Sequence, residues 1–395
     1  MKKEYSLCGV IIIIVTTAVI SALSTGILIM RNYSTDDGQS YSEIIKDENI
    51  QEFIDVYSKL TTNYYENINK KEIIDSAISG MTSYLGDQYT GLLDEDKSSS
   101  LYDSLNAKYD GIGITIKDSY IENVLYNSSA TKAGLKMNDK IISINNINIE
   151  NKTSDEIKNI INENKSNKID LRVIRNNEIL DFNNLKITSI DYPNLRYSFV
   201  ENNDIGYIKI DLFSTNINKQ LENALFQLNK YSGLIIDLRN NSGGYLEEAY
   251  QTAEIFLPKG SVIYSLLQKD NRKQEFKDKT NDKQDVPIVV LVNGNTASAA
   301  EILAAALKDS YGAVLVGSQT YGKGKVQHTY SLSSGEMVKY TASLWYRPNG
   351  TNIDGTGIIP DYQVENNFET NEANETIIID NQYKKAIDII INNVG

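Results

Sequence analysis

The sequence predicts an α/β protein built in segments, in which an apolar N-terminal helix, a helical segment and a small β-rich module precede a larger part of alternating strands and helices. The chain of 395 residues is too long for one hydrophobic core, so two or three domains are expected. Short alternating apolar runs dominate residues 104–188. Residues 189–370 instead alternate runs of strand length with runs of helix length, which is typical of an α/β core with a mainly parallel sheet.

The composition excludes several classes of function. The formal net charge of −13 argues against a nucleic-acid partner, which would require a basic face. The single cysteine, Cys8, permits no internal disulfide bond. The single histidine, His328, excludes a zinc site that needs two imidazole ligands, and we predict no metal site.

Residues 1–31 are predicted to form a cytoplasmic stub and a transmembrane anchor. No charge occurs in residues 6–30, and a helix over 10–30 would span roughly 31 Å, close to the ~30 Å of a bilayer core. Lysines before this stretch predict a cytoplasmic N-terminus, which places the rest of the chain outside the cell. The alternative is a secreted protein with a cleaved signal peptide, since residues 22–24 resemble a small-residue cleavage site.

Polar residues 32–42 predict a linker, and residues 43–103 predict a small helical segment. Apolar side chains recur at spacings of three and four between Ile50 and Tyr64, and again over residues 71–85, as on one face of a helix. The final segment, residues 371–395, is predicted to form a helix over 377–394. Within the α/β core, the charged and polar insertion at 268–285 is expected to be a mobile loop.

The β-rich module, residues 104–188, places two glycines where a loop enters a strand, in the run Gly111, Ile112, Gly113 and Ile114. Such glycines let successive backbone N–H groups face one concavity, which suits a peptide carboxylate, and the strand edge can pair with an extended ligand. Taken alone, the two glycines predict no more than a turn. Together with the downstream Ala-Gly-Leu and Asn-Asp-Lys-Ile segments, they make the module resemble a PDZ domain of the bacterial, protease-associated kind.

Ser298 is the main candidate for a catalytic nucleophile. A buried strand over 288–292 leads into a short polar turn, and a helix is predicted to begin near Ser298. A serine there lies at the positive end of a helix beside unpaired backbone N–H groups, which favours a developing oxyanion. The alternative is that Ser298 only caps the helix, a common duty of serine at such a junction.

A second loop with available amides follows the predicted strand over 234–238. Gly243 and Gly244 lie in this loop just before a helix, where backbone amides can donate to an oxyanion. A simple strand-to-helix turn is the alternative.

Lys323 is the candidate general base. Gly322 and Gly324 bracket it, so that the backbone can turn tightly and aim the side chain inward, whereas Lys325 is predicted to be solvated. A lysine base has to be neutral, and from an ordinary pKa of about 10.4 this costs roughly 4.6 kcal/mol at pH 7. Burial lowers a lysine pKa by up to about 3–5, which supplies the base if no carboxylate lies beside it. Serine–lysine pairs are a known form of activated nucleophile.

These segments together resemble the carboxyl-terminal processing (tail-specific) peptidases over residues from about 45 to 365. The motifs occur in that family's order: the PDZ module, the Asp-Leu-Arg-Asn-Asn-x-Gly-Gly strand exit, the Thr-Ala-Ser turn and the Gly-Lys-Gly segment. The resemblance implies a crotonase-like core and a serine endopeptidase without metal or organic cofactor. It also implies protein substrates with exposed C-termini that the PDZ domain delivers or gates, and a possible homo-oligomer formed through terminal helices.

The resemblance also assigns roles to residues. Ser298 would attack the scissile carbonyl, Lys323 would carry the proton, and Gln327 would orient the lysine. The oxyanion would be held by the amides of Ala299 and Gly244, with Gly243 as a further candidate. The chain departs from the family's usual pattern at Ser242, where proline is common, and at Ala300, where a second serine is common; neither change removes a catalytic group.

Three rival hypotheses are open at this point. His328 is an alternative base, although its offset of five residues would place it on the opposite face of a strand from Lys323. An inactive membrane scaffold that binds through its PDZ domain is a second, and the intact set of serine, lysine and glutamine disfavours it. Acyl-CoA chemistry, which the crotonase-like fold also supports, is disfavoured by the inserted PDZ domain.

Overall fold

The computed structural model describes residues 41–106, 108–150, 152–162, 168–201, 203–281, 284–370 and 376–394. The predicted anchor, residues 1–31, and nearly all of the predicted linker, residues 32–42, lie outside this part of the chain. Within it, no helix is long and apolar enough to cross a membrane. The chain divides after Met81 into two compact units.

The first unit contains most of the predicted helical segment. Its helices are α1 (Tyr41–Ile44), α2 (Glu48–Asn63) and the larger part of α3 (Lys70–Tyr84). Asp47 starts α2, because its carboxylate accepts hydrogen bonds from the amides of Asn49 at 2.8 Å and Ile50 at 3.4 Å, two donors that a helix start leaves unpaired. Neither α2 nor α3 has a buried residue, although both carry apolar side chains at helical spacing.

The second unit opens with β1 (Gly91–Leu93) and α4 (Glu95–Asn106), and the β-rich module follows. The elements of the module are β2 (Lys108–Gly111), β3 (Ile114–Lys117), β4 (Tyr120–Val124), α5 (Ser129–Ala133), β5 (Lys140–Ile144), β6 (Ile147–Asn148), α6 (Ser154–Asn162), β7 (Lys168–Arg175), β8 (Glu178–Lys186) and β9 (Thr188–Asp191). Its main sheet has the order β3-β4-β5-β7-β8, with β6 beside β5, while β2 pairs with β9. Isoleucine, leucine and valine side chains of these strands and of α6 fill a core of its own.

The rest of the chain forms the α/β core. Its elements are β10 (Leu195–Phe199), β11 (Ile205–Ile210), α7 (Ile217–Leu228), β12 (Gly233–Asp237), α8 (Leu246–Glu254), β13 (Val262–Gln268), β14 (Lys273–Lys277), β15 (Ile288–Val292), α9 (Ala299–Ala306), a π-helical turn (Leu307–Tyr311), β16 (Val314–Gly317), β17 (Lys325–Ser331), β18 (Met337–Tyr346), β19 (Tyr362–Gln363), β20 (Asn367–Thr370), β21 (Thr376–Ile379) and α10 (Asn381–Val394). One sheet has the order β10-β11-β12-β15-β16-β19, and every pair in it except β10–β11 is parallel. Strands β12 and β15 are buried along their whole length, as central strands covered on both faces should be.

A second, antiparallel sheet of the core has the order β1-β18-β13-β14, and β17 also pairs with β18. Gly91 of β1 lies opposite Lys339 of β18. This pairing brings the turn that precedes β1, residues 86–90, to the strand pair β17–β18, although the two are far apart in sequence.

The parallel sheet brings the predicted catalytic loops together. Asp237 lies opposite Leu291 across β12 and β15, and parallel neighbours end at the same edge of a sheet. The two loops that leave these strands are joined by hydrogen bonds from Ala297 N to Asn241 O at 3.0 Å and from Thr296 Oγ1 to Leu238 O at 2.9 Å.

The β-rich module is fixed to the core through β4. Asn123 Oδ1 accepts a hydrogen bond from Tyr197 N of β10 at 3.0 Å, and Asn223 Nδ2 of α7 donates to Val124 O at 2.7 Å. Both contacts are buried, so polar groups that would be costly to leave unpaired hold the module in place.

Two expectations of local structure are wrong. The insertion at 268–285 contains β14, which pairs with β13. Because its side chains are mostly exposed and charged, no apolar alternation marks this strand in the sequence. The C-terminal helix begins at Asn381 and not at Ile377, because residues 376–379 form β21 and pair with β20. A short run of isoleucines fits a strand as well as a helix, and tertiary pairing decided between them.

Candidate active site

The structure places Ser298 at the junction between the turn after β15 and helix α9. Its backbone has φ 57° and ψ −120°, a conformation that L-residues rarely adopt. Such a residue stores about 1–3 kcal/mol of strain, which the surrounding structure has to hold in place. Thr296 supplies part of that support, since its hydroxyl accepts from Asn293 N at 2.9 Å and donates to Leu238 O at 2.9 Å.

The glycine loop packs directly against this serine. Gly243 has φ 107°, and a Cβ there would lie 2.9 Å from Ser298 Cβ, so only glycine fits. The Gly243 amide donates to Asn241 Oδ1 at 2.9 Å. The amides of Gly244 and Ala299, by contrast, have no hydrogen-bond acceptor among the described residues. Two donors beside Ser298 are therefore available to a ligand.

Lys323 lies in a loop that ends before β17 begins. A Cβ at Gly322 would lie 2.6 Å from Gly357 N, and one at Gly324 would lie 2.6 Å from Asp354 N, so the bracketing glycines let this loop pack against residues 353–357. Trp345 Nε1 donates to Lys323 O at 2.7 Å, which fixes the backbone at the lysine.

One buried carboxylate joins the serine and the lysine. Glu301 Oε2 accepts from Ser298 N at 2.8 Å and from Lys323 N at 2.9 Å. Its other oxygen accepts from Gly322 N at 2.8 Å and from Thr320 Oγ1 at 2.6 Å. Burial raises the pKa of the Glu301 carboxyl, while these four hydrogen bonds oppose the rise. The nucleophile turn and the lysine loop thus share one anchor.

The side chains of Ser298 and Lys323 face one cavity of about 570 Å³. Its lining includes all the residues predicted for the catalytic step and for the oxyanion except Gly243, namely Ser298, Ala299, Gly244, Lys323 and Gln327. Leucines of α4 and the side chain of Trp345 form apolar parts of the wall. The structure therefore brings together three segments that are separate in sequence.

The charge state of Lys323 follows from its surroundings. Burial lowers the pKa of its amine below the ordinary value, and the nearby ammonium of Lys339 lowers it further, against the opposing charges of Glu301 and Asp87. No carboxylate of the described residues lies within ion-pair distance of Lys323 Nζ, whereas Lys325 Nζ lies 3.2 Å from Asp87 Oδ1. The ring of Tyr89 lies beneath the amine, with 5.1 Å between Nζ and the ring centroid.

Gln327 and His328 follow on β17. Gln327 Nε2 donates to Thr341 Oγ1 at 3.3 Å. The expectation that strand alternation separates His328 from Lys323 is wrong, because Lys323 precedes the strand and the register shifts between Val326 and Gln327. His328 lines the same cavity, with an exposed side chain.

The residues predicted to bind peptide also lie together. Gly111, Ile112, Gly113 and Ile114 line a groove of about 330 Å³ whose far wall includes Ile161 of α6. The amides of Ile112 and Gly113 have no acceptor in the part of the chain that the structure describes, and β3 is an edge strand of its sheet. Available amides beside a free strand edge are what an extended peptide with a terminal carboxylate requires.

Several residues of the cavity and its support were not predicted from the sequence. Glu301 had a readable signal, since Ser-x-x-Glu before an apolar helix is a capping-box pattern. Asp87, Tyr89, Thr341 and Lys339 had none. The pairing of β1 with β18 brings the first two to the lysine loop, and the register of β18 against β17 brings the other two.

Comparison with known proteins places these features in a family. Peptidase family S41 matches residues 204–364, a PDZ domain matches residues 103–174, and the activating protease CtpB N-terminal domain matches residues 23–97. The carboxy-terminal processing protease CtpA of Bacillus subtilis (strain 168) is 32% identical over 371 residues, which cover 92% of this chain and 78% of the relative. A probable CtpA-like serine protease of Staphylococcus epidermidis (strain ATCC 12228 / FDA PCI 1200) is 30% identical over 361 residues, covering 89% and 71%. Among solved structures, the photosystem II D1 C-terminal processing protease has a TM-score of 0.48 at 23% identity, covering 80% of this chain and 88% of that one.

The fold and the site are those of a serine peptidase that carries a PDZ domain. The chain belongs to peptidase family S41, the carboxy-terminal processing proteases. The match covers most of the length of relatives that are named as proteases. This favours the peptidase hypothesis over the inactive scaffold and over acyl-CoA chemistry.

Proposed function

We propose that this peptidase cleaves proteins outside the cell with Ser298 as nucleophile and Lys323 as general base. One observation supports the assignment above the others. A single cavity holds a serine in a strained conformation, a lysine without a carboxylate partner among the described residues, and two available amides. An uncharged amine, a hydroxyl and an oxyanion site are the parts that acyl transfer requires.

The proposed reaction has two halves. Ser298 Oγ attacks the scissile carbonyl carbon while Lys323 Nζ takes the hydroxyl proton, and the resulting oxyanion accepts hydrogen bonds from the amides of Ala299 and Gly244. Lys323 then gives its proton to the departing amine, the C–N bond breaks, and an acyl-enzyme remains. Water repeats the attack with Lys323 as base, which releases the new C-terminus and restores Ser298. Gly243 is the weaker oxyanion candidate, because its amide already donates to Asn241.

The proposed substrates are proteins with exposed, apolar C-termini, recognised in the groove at β3. The groove is lined by the side chains of Ile114, Ile116 and Ile161, which suit an apolar terminal residue. Its available amides at Ile112 and Gly113 suit the terminal carboxylate.

The proposed location is the cell membrane, with residues 1–31 as a retained anchor and the catalytic domain outside. The uncharged length of this segment and the lysines before it support the proposal. Extraction of membranes with alkaline carbonate tests it, since an anchored protein stays in the pellet and a protein with a cleaved signal peptide is released.

Two finer features belong to the same proposal. The core is of the crotonase-like type, with the site at the carboxyl edge of its parallel strands. The protein forms a homo-oligomer through its terminal helices, a role supported by the apolar side chains that α2 leaves exposed.

Cleavage of a protein substrate by four forms of the enzyme tests the catalytic assignment. Ser298→Ala and Lys323→Ala should each lower kcat by about 10³-fold or more, the order seen when a member of a catalytic set is removed. His328→Ala should leave kcat within about twofold. Full activity of Ser298→Ala would refute the proposed function, and loss in His328→Ala with activity kept in Lys323→Ala would move the base to His328.

A further inference from the structure

The turn before β1 contacts the strand pair that carries Gln327. Asp87 Oδ2 accepts hydrogen bonds from Thr90 Oγ1 at 2.7 Å and from Thr341 Oγ1 at 2.5 Å, and its other oxygen accepts from Lys325 Nζ at 3.2 Å. Thr341 N donates in turn to Thr90 Oγ1 at 3.1 Å. Four residues, from the turn before β1 and from the strands β17 and β18, thus form one connected network.

The direction of donation in this network is fixed. Burial alone would raise the pKa of Asp87, but the hydrogen bonds from Thr341, Thr90 and Lys325 lower it to about 2, so the carboxylate is ionised near neutral pH and can only accept. The single hydroxyl proton of Thr341 is therefore committed to Asp87. The remaining lone pairs of Thr341 Oγ1 can only accept, and they accept from Gln327 Nε2 at 3.3 Å.

We propose that Asp87 and Thr341 form a relay that fixes which end of the Gln327 carboxamide faces the catalytic lysine. With Nε2 held at Thr341, Oε1 is the free end, and it has no hydrogen-bond donor among the residues that the structure describes. Gln327 and Lys323 line the same cavity. Thr341 is accordingly a positioning residue that acts through Gln327.

The relay matters because a neutral lysine amine has two N–H groups and one lone pair. If an N–H donates to Gln327 Oε1, the lone pair is left for the Ser298 hydroxyl. A carboxamide turned the other way would offer N–H groups instead and compete with Ser298 for that lone pair. The inference rests on the proposed function, since it takes Lys323 as the base.

Thr341→Val is the first test, because valine keeps the shape of threonine and removes the hydroxyl. Loss of one hydrogen bond that orients a catalytic group should lower kcat by about 5- to 10-fold and leave KM within about twofold. Thr341→Ser restores the hydroxyl and should restore kcat. Ser343→Ala removes a buried hydroxyl two residues along the same strand and controls for general damage to β18. An unchanged kcat in Thr341→Val, or a loss that Thr341→Ser does not repair, would overturn the relay.

A double-mutant cycle with Gln327→Ala is the second test, read out as the rate at which a fluorophosphonate probe labels Ser298. If Thr341 acts through the glutamine, Thr341→Val should change the labelling rate by less than about twofold once Gln327 is alanine. An equal loss in both backgrounds would show that Thr341 acts by another route. Failure of the relay leaves the labelling of the wild-type serine intact, whereas failure of the proposed function appears as a Ser298→Ala enzyme that still cleaves substrate.

Discussion

At the scale of single residues, the proposed chemistry depends on the difference between two lysines that are two positions apart. Lys325 is paired with Asp87, and Lys323 faces a cavity with no carboxylate of the described chain within ion-pair distance. Desolvation and the cation of Lys339 both disfavour the ammonium form of Lys323. The two lysines therefore have different surroundings, which is why Lys323 and not Lys325 is the proposed base.

Lys339→Met tests this origin of the base. Activity should rise with pH as Lys323 loses its proton, so the rising limb of kcat/KM reports the pKa of Lys323. Removing the neighbouring cation raises that pKa and should move the limb to higher pH by roughly 0.5–1 unit, the shift that about 1 kcal/mol of charge interaction produces. Lys339→Arg keeps the charge and should leave the limb in place. A limb that does not move in Lys339→Met would mean that the Lys339 cation does not contribute to the pKa of Lys323.

At the scale of elements, a helix and a loop are held in one arrangement by a single side chain. Glu301 lies in the first turn of α9, and its carboxylate accepts hydrogen bonds from the amides of both Ser298 and Lys323. Its buried position leaves those amides no water to bond if the carboxylate is lost. The relative positions of Ser298 and Lys323 therefore depend on Glu301 as well as on their own loops.

Glu301→Gln should weaken this connection between the Ser298 turn and the Lys323 loop while keeping a side chain of the same size. A carboxamide can accept at only one end, so at least one of the amides of Ser298, Lys323 and Gly322 would face an N–H group. We expect the free energy of unfolding to fall by about 1–3 kcal/mol in urea titrations, and kcat to fall about tenfold or more because both catalytic loops shift. Thr320→Ser keeps a hydroxyl donor to the same carboxylate and serves as the mild control. A Glu301→Gln enzyme with native stability and activity would contradict this role.

At the scale of the whole molecule, the proposed recognition groove and the proposed catalytic cavity lie in different folded parts. The groove at β3 belongs to a module with its own core, and the catalytic cavity belongs to the α/β core. Buried hydrogen bonds at Asn123 and Val124 connect the two parts. In the proposed function, the substrate C-terminus therefore binds in one part and the scissile bond is cleaved in the other.

Binding of synthetic peptides to the groove tests the division of labour. An apolar peptide with a free C-terminus should bind more tightly than the same peptide with an amidated end. Ile114→Ala removes apolar area from the groove and should weaken binding of the free peptide by roughly 5- to 10-fold. It should leave the labelling of Ser298 by a fluorophosphonate unchanged. Lys117→Ala alters the same strand outside the groove and should bind like the wild type; equal affinity for free and amidated peptides would refute carboxylate recognition.

The exposed apolar residues of α2 bear on assembly. Phe53 and Ile54 are 45% and 43% exposed, and Val56 and Leu60 are exposed to a similar degree. Phe53→Glu should weaken self-association by about tenfold or more, because a buried interface would have to take up an unpaired charge. Sedimentation of the full chain in detergent measures this, with Ser58→Glu as a control that adds the same charge at a polar position of α2. A wild-type chain that sediments as a monomer would contradict the proposed oligomer.

The sequence by itself determined the local parts of this protein. The turn at Ser298, the glycines at Gly243 and Gly244, the loop at Lys323 and the entry to β3 are all set by residues adjacent in the chain, so their patterns could be read directly. The predicted strands over 288–292 and 234–238 agree with β15 and β12 to within one residue for the same reason. The strand β14 and the start of α10 were mispredicted where polarity or composition pointed away from the pairing that formed.

Only the tertiary structure decided how those parts meet. Thr341 and Lys339 lie beside the lysine loop through the register of β17 and β18. Asp87 and Tyr89 reach it through the pairing of β1 with β18, strands far apart in the chain, for which no short run of sequence carries a signal. The same holds for the choice between two neighbouring glycines: the amide of Gly243 is taken by Asn241, and that of Gly244 is left available among the described residues. Chain neighbours specify a motif's shape, whereas its charge, its partners and its orientation come from side chains that folding brings alongside it.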